Sequence, residues 1–279
     1  MASRDPNRPN VVFILSDDQG YWAMGCAGNP EIRTPHLDRL AARGMRFESF
    51  FCTSPVCSPA RASLLTGRIP SQHGIHDWLR DGNAGERPIE YLAQQTAYTD
   101  VLAANGYTCG LSGKWHLGDS FRPQKGFSHW YVHREGGGPY YGAPMIREGK
   151  LTRSPEYLTD LITDDALNFL TSCADDGKPF YLSVHYTAPH SPWIDNHPQD
   201  IVDAYDDCDF ASCPQEPTHP WAKDQPFYRS VMRNVRENLK GYFAAVTAMD
   251  ANIGRILDHI EHLGLAENTL VFFMSDNGF

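Results

Sequence analysis

Short apolar runs rich in β-branched and aromatic residues alternate along this chain with segments of helical spacing. The uninterrupted run at residues 10–16 is typical of a strand that is buried on both faces. Further strands are predicted at residues 45–51, at 107–112, at 180–186, where bulky residues alternate, and at 270–274. All except the run at 45–51 lead into polar or charged residues within a few positions, so side chains capable of chemistry follow four predicted strands.

Two helix starts are marked by a capping residue followed by proline, a pair that suits the first helical turn. They are Thr34-Pro35 and Ser58-Pro59, and a glycine about ten positions later ends each helix. The second start places Cys57 just ahead of a helix N-terminus. Apolar residues at three- and four-residue spacing predict three further helices, at residues 90–104, 156–170 and 228–263.

Alternating strands and helices predict an α/β fold with a mostly parallel central sheet and helices on both faces. In such sheets ligands bind at the carboxyl ends of the strands. We therefore expect one active site at that edge, where the groups that follow four predicted strands converge. These groups are Asp17-Asp18, Lys114 with His116, His190, and Asp276-Asn277.

Two segments lack a clear helix or strand pattern. Residues 135–149 contain a run of three glycines, and residues 195–224 contain four prolines. The first segment lacks the lysine and hydroxyl of a phosphate-binding P-loop, so it is interpreted as the lip of a cleft. Both segments are expected to shape substrate choice.

Length and charge restrict the class of protein. The 279 residues, 41% of them hydrophobic, suffice for one large domain. A formal net charge of -10 would repel a nucleic acid backbone, so nucleic acid is not expected as a partner.

No apolar run approaches the roughly 20 residues of a membrane span, and a membrane is not expected either. Since the first ten residues do not resemble a secretory signal, the sequence as written predicts a cytoplasmic protein, or a periplasmic or secreted one if a leader was removed.

Cysteine usage does not resemble that of a small disulfide-stapled scaffold. Seven cysteines are spread over the whole chain, and most are expected to be buried thiols. Cys208 and Cys213 are close enough in sequence to pair in an oxidising compartment, and the sequence leaves that pairing open.

The predicted strand ends offer only oxygen ligands for a metal. Asp17, Asp18, Asp276 and Asn277 suit a hard divalent cation such as calcium or magnesium. The histidine pairs at 73 and 76 and at 259 and 262 lack further ligands, so they are interpreted as partly exposed histidines rather than a zinc site.

Cys57 has two interpretations from its position alone. A helix N-terminus lowers the pKa of a thiol and favours a cysteine nucleophile, with His116 or His190 as candidate base. The alternative is a buried structural cysteine, which is the more common case.

The residues around Cys57 change this picture. The segment Cys57-Ser58-Pro59-Ala60-Arg61, followed by Thr66-Gly67-Arg68, closely resembles the signature of type I sulfatases of the alkaline phosphatase superfamily. Similar family segments occur at residues 8–18, 34–38, 113–118, 189–190 and 275–278. The resemblance therefore extends over essentially the whole chain.

This resemblance implies a chemistry for residue 57. In the family a maturation enzyme oxidises this cysteine to formylglycine (3-oxoalanine), and a hydroxyl of the hydrated aldehyde attacks sulfur while the second one later expels sulfate. The metal, usually calcium, would be held by residue 57 together with Asp17, Asp18, Asp276 and Asn277. Arg61 would orient the formylglycine and His116 would hydrogen-bond it. Lys114 and His190 would bind the sulfate oxygens.

The resemblance also implies that residues 1–279 form an N-terminal catalytic domain. Family members are usually longer, with a second sulfate-binding lysine and a smaller C-terminal domain that this sequence does not contain. The expected substrate is a sulfated small molecule or carbohydrate. The alternatives are a phosphonate monoester or phosphodiester hydrolase with the same nucleophile, and a non-catalytic sulfatase-like binding protein. Asp250 and Arg255 also resemble family residues and are interpreted as packing or surface positions.

Overall fold

The computed structural model describes residues 7–84, 87–213, 217, 220 and 222–278. Its strands are β1 (Asn10–Ser16), β2 (Thr108–Gly113), β3 (His129–His133), β4 (Met145–Arg147), β5 (Lys150–Thr152), β6 (Phe180–His185) and β7 (Thr269–Ser275). The helices are α1 (Pro35–Ala42), α2 (Cys57–Thr66), α3 (Pro70–His73), α4 (Tyr98–Ala104), α5 (Leu158–Asp176), α6 (Gln199–Asp203), α7 (Pro226–Arg233) and α8 (Val235–His262).

All seven strands form one sheet in the order β5-β4-β3-β2-β6-β1-β7. Neighbouring strands are parallel in the series β3-β2-β6-β1-β7. Beside β3, the strands β4 and β5 extend the sheet in antiparallel orientation. The prediction of an α/β fold with a mostly parallel sheet is confirmed.

Successive residues of β1 face opposite sides of the sheet and enter separate cores. Val12 and Ile14 pack with residues of α5 and α8 on one face. Val11 and Phe13 pack against the core on the other face, which includes residues of α2. Burial of a large aliphatic side chain contributes about 1.5–3 kcal/mol, so both faces stabilise the strands that carry the site.

Four sequence-based predictions on secondary structure need correction. Residues 45–51 form no strand: they pair with no neighbour, and Met45, Phe47 and Phe51 are exposed. The helix predicted at 90–104 begins only at Tyr98, after a series of turns. The helix predicted at 228–263 is two helices that meet at Asn234. Finally, β3 to β5, α3 and α6 were not predicted, because each of them is only three to five residues long. Part of the segment 195–224 lies outside the described residues.

The start of α1 is capped from a distance rather than by the predicted residue. The Thr34 side chain makes no cap hydrogen bond. The carboxylate of Asp250 on α8 instead accepts hydrogen bonds from the backbone N–H groups of His36 and Leu37, at 3.1 and 2.7 Å. Asp250 thus joins two helices, in agreement with its interpretation as a packing position. A buried carboxylate at a helix N-terminus satisfies backbone donors that would otherwise lack partners.

Two other sequence-based expectations concern cysteines and membranes. Cys208 and Cys213 are not joined by a disulfide. Among the described helices, none combines the length and apolar character needed to cross a bilayer.

His197 should make the stability of the fold sensitive to mild acid. Its side chain is buried and hydrogen-bonds the hydroxyl of Tyr157 at 2.9 Å, and burial lowers its pKa to about 3. Between this value and the pKa of an unfolded histidine, about 6.5, the unfolded chain binds a proton that the folded chain does not. The free energy of unfolding should therefore fall as pH falls, with His197 contributing about 2 kcal/mol of loss at pH 5.

Urea unfolding at pH 7.5 and pH 5 measures this contribution. His197→Asn should unfold with a smaller difference between the two pH values than the unchanged protein. His262→Asn, at an exposed position of α8, is the matched control and should leave the difference unaltered. An equal pH difference in all three proteins would contradict the role assigned to His197.

Candidate active site

The carboxyl ends of four parallel strands carry the predicted groups to one edge of the sheet. Asp17 and Asp18 follow β1, Lys114 follows β2, His190 lies in the loop after β6, and Asp276 follows β7. Backbone hydrogen bonds join these strand ends: the N–H of Asp17 donates to Ala188, that of Lys114 to His185, and that of Asp276 to Ser16. The predicted side chains are therefore attached to strand ends that backbone hydrogen bonds hold together.

Two buried cations lie among these carboxylates. The ammonium of Lys114 is 2.5 Å from an oxygen of Asp17. The guanidinium of Arg61 contacts Asp276 through Nε and Nη2, both at 2.9 Å, and lies 3.7 Å from Asp17. Burial alone opposes the charge of Lys114 and of Arg61, but the adjacent carboxylates outweigh it and leave the pKa of each above its usual range. Both cations remain charged at any physiological pH.

The three aspartates form a cluster with unused acceptor atoms. Oxygen atoms of Asp17, Asp18 and Asp276 lie within 4.8 Å of one another. Asn277 donates to Asp18 at 2.7 Å, and its own Oδ1 is buried without a hydrogen-bond partner, as is Oδ1 of Asp17. A buried acceptor without a donor costs free energy, and a cation would relieve that cost. The donor set and its orphaned oxygens fit a hard divalent ion.

The pKa values of the buried residues Asp17 and Asp276 are shifted in opposite directions. Burial raises the pKa of Asp17 to about 6 despite the opposing pull of Lys114, and the Asp276 carboxylate adds to the rise. For Asp276 burial acts in the same direction, but Arg61 and Lys114 hold its pKa below the usual range. A bound cation would favour the ionised form of both groups.

Cys57 is the first residue of α2 and points into this cluster. Its Sγ lies within 4.8 Å of an oxygen of Asp17 and a ring nitrogen of His190. The expectation that the helix start lowers the pKa of this thiol is wrong for the unmodified side chain. Burial, together with the carboxylate of Asp17, raises the pKa to about 12 and outweighs the helix terminus. The thiol is protonated at neutral pH, which argues against Cys57 as a thiolate nucleophile.

His116 presents an unprotonated nitrogen in the site. Its Nε2 donates to the backbone oxygen of Leu79 at 3.0 Å, because a carbonyl can only accept, and its Nδ1 is buried without a partner. Burial and the neighbouring charge of Lys114 lower the pKa of His116 well below the usual value. The ring is therefore neutral, and Nδ1 can accept a hydrogen bond from a hydroxyl group.

His190 lies at the more open side of the cluster. Its Nδ1 donates to the backbone oxygen of Ser191 at 2.6 Å, and its Nε2 is 3.7 Å from a carboxylate oxygen of Asp18. About 30% of the side chain is exposed, so an anionic ligand entering from solvent can reach it.

The glycine run predicted as a cleft lip lies directly against both histidines. A Cβ atom at Gly136 would be 2.2 Å from the His116 ring, and one at Gly137 would be 3.4 Å from the His190 ring. Gly136 must therefore lack a side chain for His116 to keep its position. His116 itself has a φ of 55°, in the left-handed region, so the surrounding contacts hold it in a strained conformation.

One buried site residue was missed by the sequence reasoning. His185, the last residue of β6, contacts the backbone oxygen of Lys114 at 3.1 Å and Nη1 of Arg61 at 3.5 Å. Burial lowers its pKa to about 3, so it is neutral. A polar residue at the carboxyl end of a predicted buried strand was the signal that would have identified it.

The histidine pairs set aside as non-ligands differ in environment. His73 is buried, not partly exposed as expected, and hydrogen-bonds Ser63 at 3.0 Å. His259 bonds the hydroxyl of Thr171 at 2.9 Å on the surface between α5 and α8. Within the described residues, neither pair belongs to a cluster of three potential metal ligands.

Comparison with known proteins identifies the family to which this arrangement belongs. The model of the sulfatase family matches residues 9–279, nearly the whole chain. The chain belongs to the sulfatase family. Among curated sulfatases, it is 28% identical to the N-acetylglucosamine-6-O-sulfatase of Bacteroides thetaiotaomicron and 31% identical to the human N-acetylgalactosamine-6-sulfatase, in each case over 99% of the chain. It covers 59% and 51% of the two relatives, so the chain spans about half their length.

Solved structures of related proteins share the fold. A protein crystallised with its substrate D-glucosamine-2-N,6-O-disulfate matches 98% of this sulfatase-family chain with a TM-score of 0.79 and 26% identity, and the chain covers 66% of it. The phosphonate monoester hydrolase of Agrobacterium radiobacter matches 97% with a TM-score of 0.70 at 18% identity, and the chain covers 63% of it. The latter similarity concerns the fold alone.

Proposed function

We propose that residues 1–279 form the catalytic domain of a sulfatase that hydrolyses sulfate esters to an alcohol or phenol and inorganic sulfate. The observation that carries this proposal is the position of Cys57. It begins α2 within the sulfatase signature and lies beside three carboxylates and two buried cations. The retained Arg61, Lys114 and carboxylate cluster argue against the non-catalytic alternative, since a binding protein would have no need to bury these charges.

Two groups that the family generally uses fit this site. Asp17, Asp18, Asp276 and Asn277 would hold a divalent cation, for which we propose calcium, with modified residue 57 as a further ligand. The cation would offset negative charge on the sulfuryl oxygens, and formylglycine at position 57 would supply the nucleophilic hydroxyl. Magnesium suits the same oxygen ligands less well, since it demands a more regular geometry.

The side chains of this chain would position and polarise the ester. Arg61 is fixed by Asp276 and by the backbone oxygen of Lys114, so it orients residue 57 without moving. His116 accepts the proton of a hydroxyl at Nδ1. Lys114, which pairs with Asp17, and His190, whose ring nitrogen lies within 4.8 Å of Cys57 Sγ, would donate hydrogen bonds to the sulfate oxygens. Such preorganised charges stabilise negative charge that develops in a transition state.

The relatives indicate a class of substrate. The curated relatives above are named for sulfated amino sugars, and one structural relative was solved with a sulfated glucosamine. We extend this to a sulfated carbohydrate as the substrate of the present protein. Simple aryl sulfates would serve as small reporter substrates.

Maturation must precede folding of α2. The Cys57 side chain is buried and its neighbours Ser58 and Pro59 are buried as well. A maturation enzyme therefore has no access to the thiol once the helix packs against the sheet, and we propose that it acts on the unfolded segment.

The first experiment is mass spectrometry of the tryptic peptide that spans residues 47–61, from protein produced together with a formylglycine-generating enzyme. The peptide also contains the exposed Cys52, which serves as an internal control for the modification. Exchange of sulfur for oxygen with loss of two hydrogens at residue 57, and an alkylatable thiol at residue 52, is the expected result. A free thiol at residue 57 under these conditions would contradict the proposed nucleophile.

A matched assay distinguishes the reaction classes. The matured protein should release sulfate from an aryl sulfate faster than it cleaves the corresponding aryl phosphonate monoester. A reversed order would assign the protein to the phosphonate monoester hydrolases, which use the same nucleophile.

Gly136→Ala should reduce the turnover of the matured protein. The added methyl group would overlap the His116 ring, and the ring must shift out of line with residue 57. Displacement of a catalytic group by about 1 Å costs on the order of a hundredfold in rate. We expect kcat for an aryl sulfate to fall by about that factor while the fold is retained.

Gly142→Ala is the control for this loop. Gly142 also lies in the segment after β3, but no atom lies within 4 Å of its Cβ position. The kcat of this control should stay within a few-fold of that of the unchanged protein. Its stability should fall by about 1 kcal/mol, because the φ of Gly142 is 68° and alanine disfavours this left-handed conformation. Equal activity of the two variants would show that Gly136 does not position His116.

A further inference from the structure

The short loop that contains Leu79 is held beside residue 57 by hydrogen bonds of the Leu79 backbone. The N–H of Leu79 donates to the hydroxyl of Ser58, the residue after Cys57, at 3.2 Å. The carbonyl oxygen of Leu79 accepts from His116 at 3.0 Å and from the side chain of Asn83 at 3.1 Å. Leu79 also packs against the core that lies on the α2 side of the sheet. The position of this loop relative to residue 57 is therefore fixed.

The two neighbours of Leu79 face away from the core. Trp78 is 52% exposed, and within the described part of the chain it is the only tryptophan exposed to this degree. The guanidinium of Arg80 lies over the Trp78 ring, 4.8 Å from its centroid. Leu79 is half-buried, whereas its neighbours Trp78 and Arg80 are both exposed and stack on each other.

About half of Trp78 is exposed, so part of its apolar ring is accessible to a ligand. Arg80 makes no ion pair with a carboxylate among the described residues. Trp78 and Arg80 thus present an apolar ring and a cation without an ion pair among the described residues, on either side of the Leu79 backbone that bonds Ser58 and His116.

We propose that Trp78 and Arg80 form a binding subsite for an anionic sugar unit adjacent to the sulfate ester that is cleaved. This inference rests on the proposed sulfatase function and specifies its substrate: an oligosaccharide with a second sulfate or a carboxylate on a neighbouring ring. The apolar face of a pyranose packs on the open side of the Trp78 ring, as amphipathic ligands do on aromatic side chains. Arg80, held over the opposite face, reaches past the ring edge to bind the anionic group with two parallel hydrogen bonds.

Trp78→Ala and Arg80→Ala test this subsite with two substrates. One is an aryl sulfate, which has no second ring. The other is a disaccharide that carries the sulfate ester on one sugar and a carboxylate on the next. A hydrogen bond to a charged group contributes about 1.5–3 kcal/mol, which corresponds to about a ten- to hundredfold change in kcat/KM. We expect a loss of this size for the disaccharide and little change for the aryl sulfate.

Arg8→Ala is the matched control. Arg8 stacks on Tyr107 at 5.4 Å, but these residues precede β1 and β2 and therefore lie at the opposite edge of the sheet. This control should leave both substrates unaffected. Arg80→Lys keeps the charge without the paired donors and should recover only part of the disaccharide activity.

The outcomes separate the subsite from the function on which it rests. A parallel loss for both substrates would assign Trp78 and Arg80 to support of His116 and overturn the subsite. Unchanged values for both substrates would overturn it as well. If the protein hydrolyses no sulfate ester, the proposed function fails, and the subsite is then tested separately by calorimetric titration with the desulfated disaccharide carboxylate. Binding that Trp78→Ala weakens at least tenfold would support the subsite. Unaltered or undetectable binding would overturn it.

Discussion

Replacement of Cys57 by alanine should lower sulfate ester hydrolysis by at least about a thousandfold, to the level of the background reaction. Alanine cannot be converted to formylglycine and carries no nucleophile, so the position beside Asp17 and His190 would lose its reactive group. The loss should appear in kcat of an aryl sulfate assay. Binding of the substrate to the remaining cationic groups should persist.

Two further variants make the result specific. Cys52→Ala changes an exposed cysteine of the same segment and should retain full activity. Cys57→Ser supplies an alcohol that can accept the sulfuryl group but has no second hydroxyl to release it. We expect at most one equivalent of product from this variant, followed by arrest. Steady turnover by Cys57→Ala would show that residue 57 is not the nucleophile.

Asp17→Asn should abolish stabilisation of the protein by calcium. Asp17 is fully buried and contributes one carboxylate of three to the cluster, and its Oδ1 has no hydrogen-bond partner. A ligand at a hundred times its dissociation constant stabilises the folded state by about 2.7 kcal/mol, so the unchanged protein should show a clear rise in Tm with calcium. The variant should show none.

The same substitution should also destabilise the cation-free protein. Lys114 would lose the ion pair at 2.5 Å, and loss of a hydrogen bond to a charged group typically costs about 1.5–3 kcal/mol. Asp258→Asn is the control: its partner is Arg39 on the surface, and such exposed pairs contribute about 0–1 kcal/mol. Calorimetric titration that shows unaltered calcium binding by Asp17→Asn would refute the proposed ligand set.

The sequence was sufficient to predict the parts of the fold that local patterns specify. Strands β1, β2 and β6 are largely buried, whereas β7 is a partly exposed strand at the end of the sheet, and all four were predicted within two residues of their bounds. Since parallel strands align their carboxyl ends, these predictions also placed the aspartates after β1 and β7 in one cluster. The convergence of the site thus followed from topology, without knowledge of any distance.

Other features depend on tertiary contacts that no local pattern records. Residues 45–51 alternate like a strand, but a strand requires a partner for its backbone, and none is present among the described residues. The pKa of Cys57 was misjudged for the same kind of reason. The helix start is visible in the sequence, whereas the burial and the nearby Asp17 that outweigh it are contributed by other elements.

The buried cluster also has a consequence for the valence of the anion that it can accommodate. The cluster contains three carboxylates, those of Asp17, Asp18 and Asp276, and two cations, Arg61 and Lys114, so its net charge is one negative. A bound divalent cation would change the net charge to one positive. A singly charged ester restores electroneutrality in the cleft, whereas a doubly charged one leaves an unbalanced charge away from water. We therefore expect the charges of these five side chains and the cation to favour sulfate esters over phosphate monoesters at neutral pH.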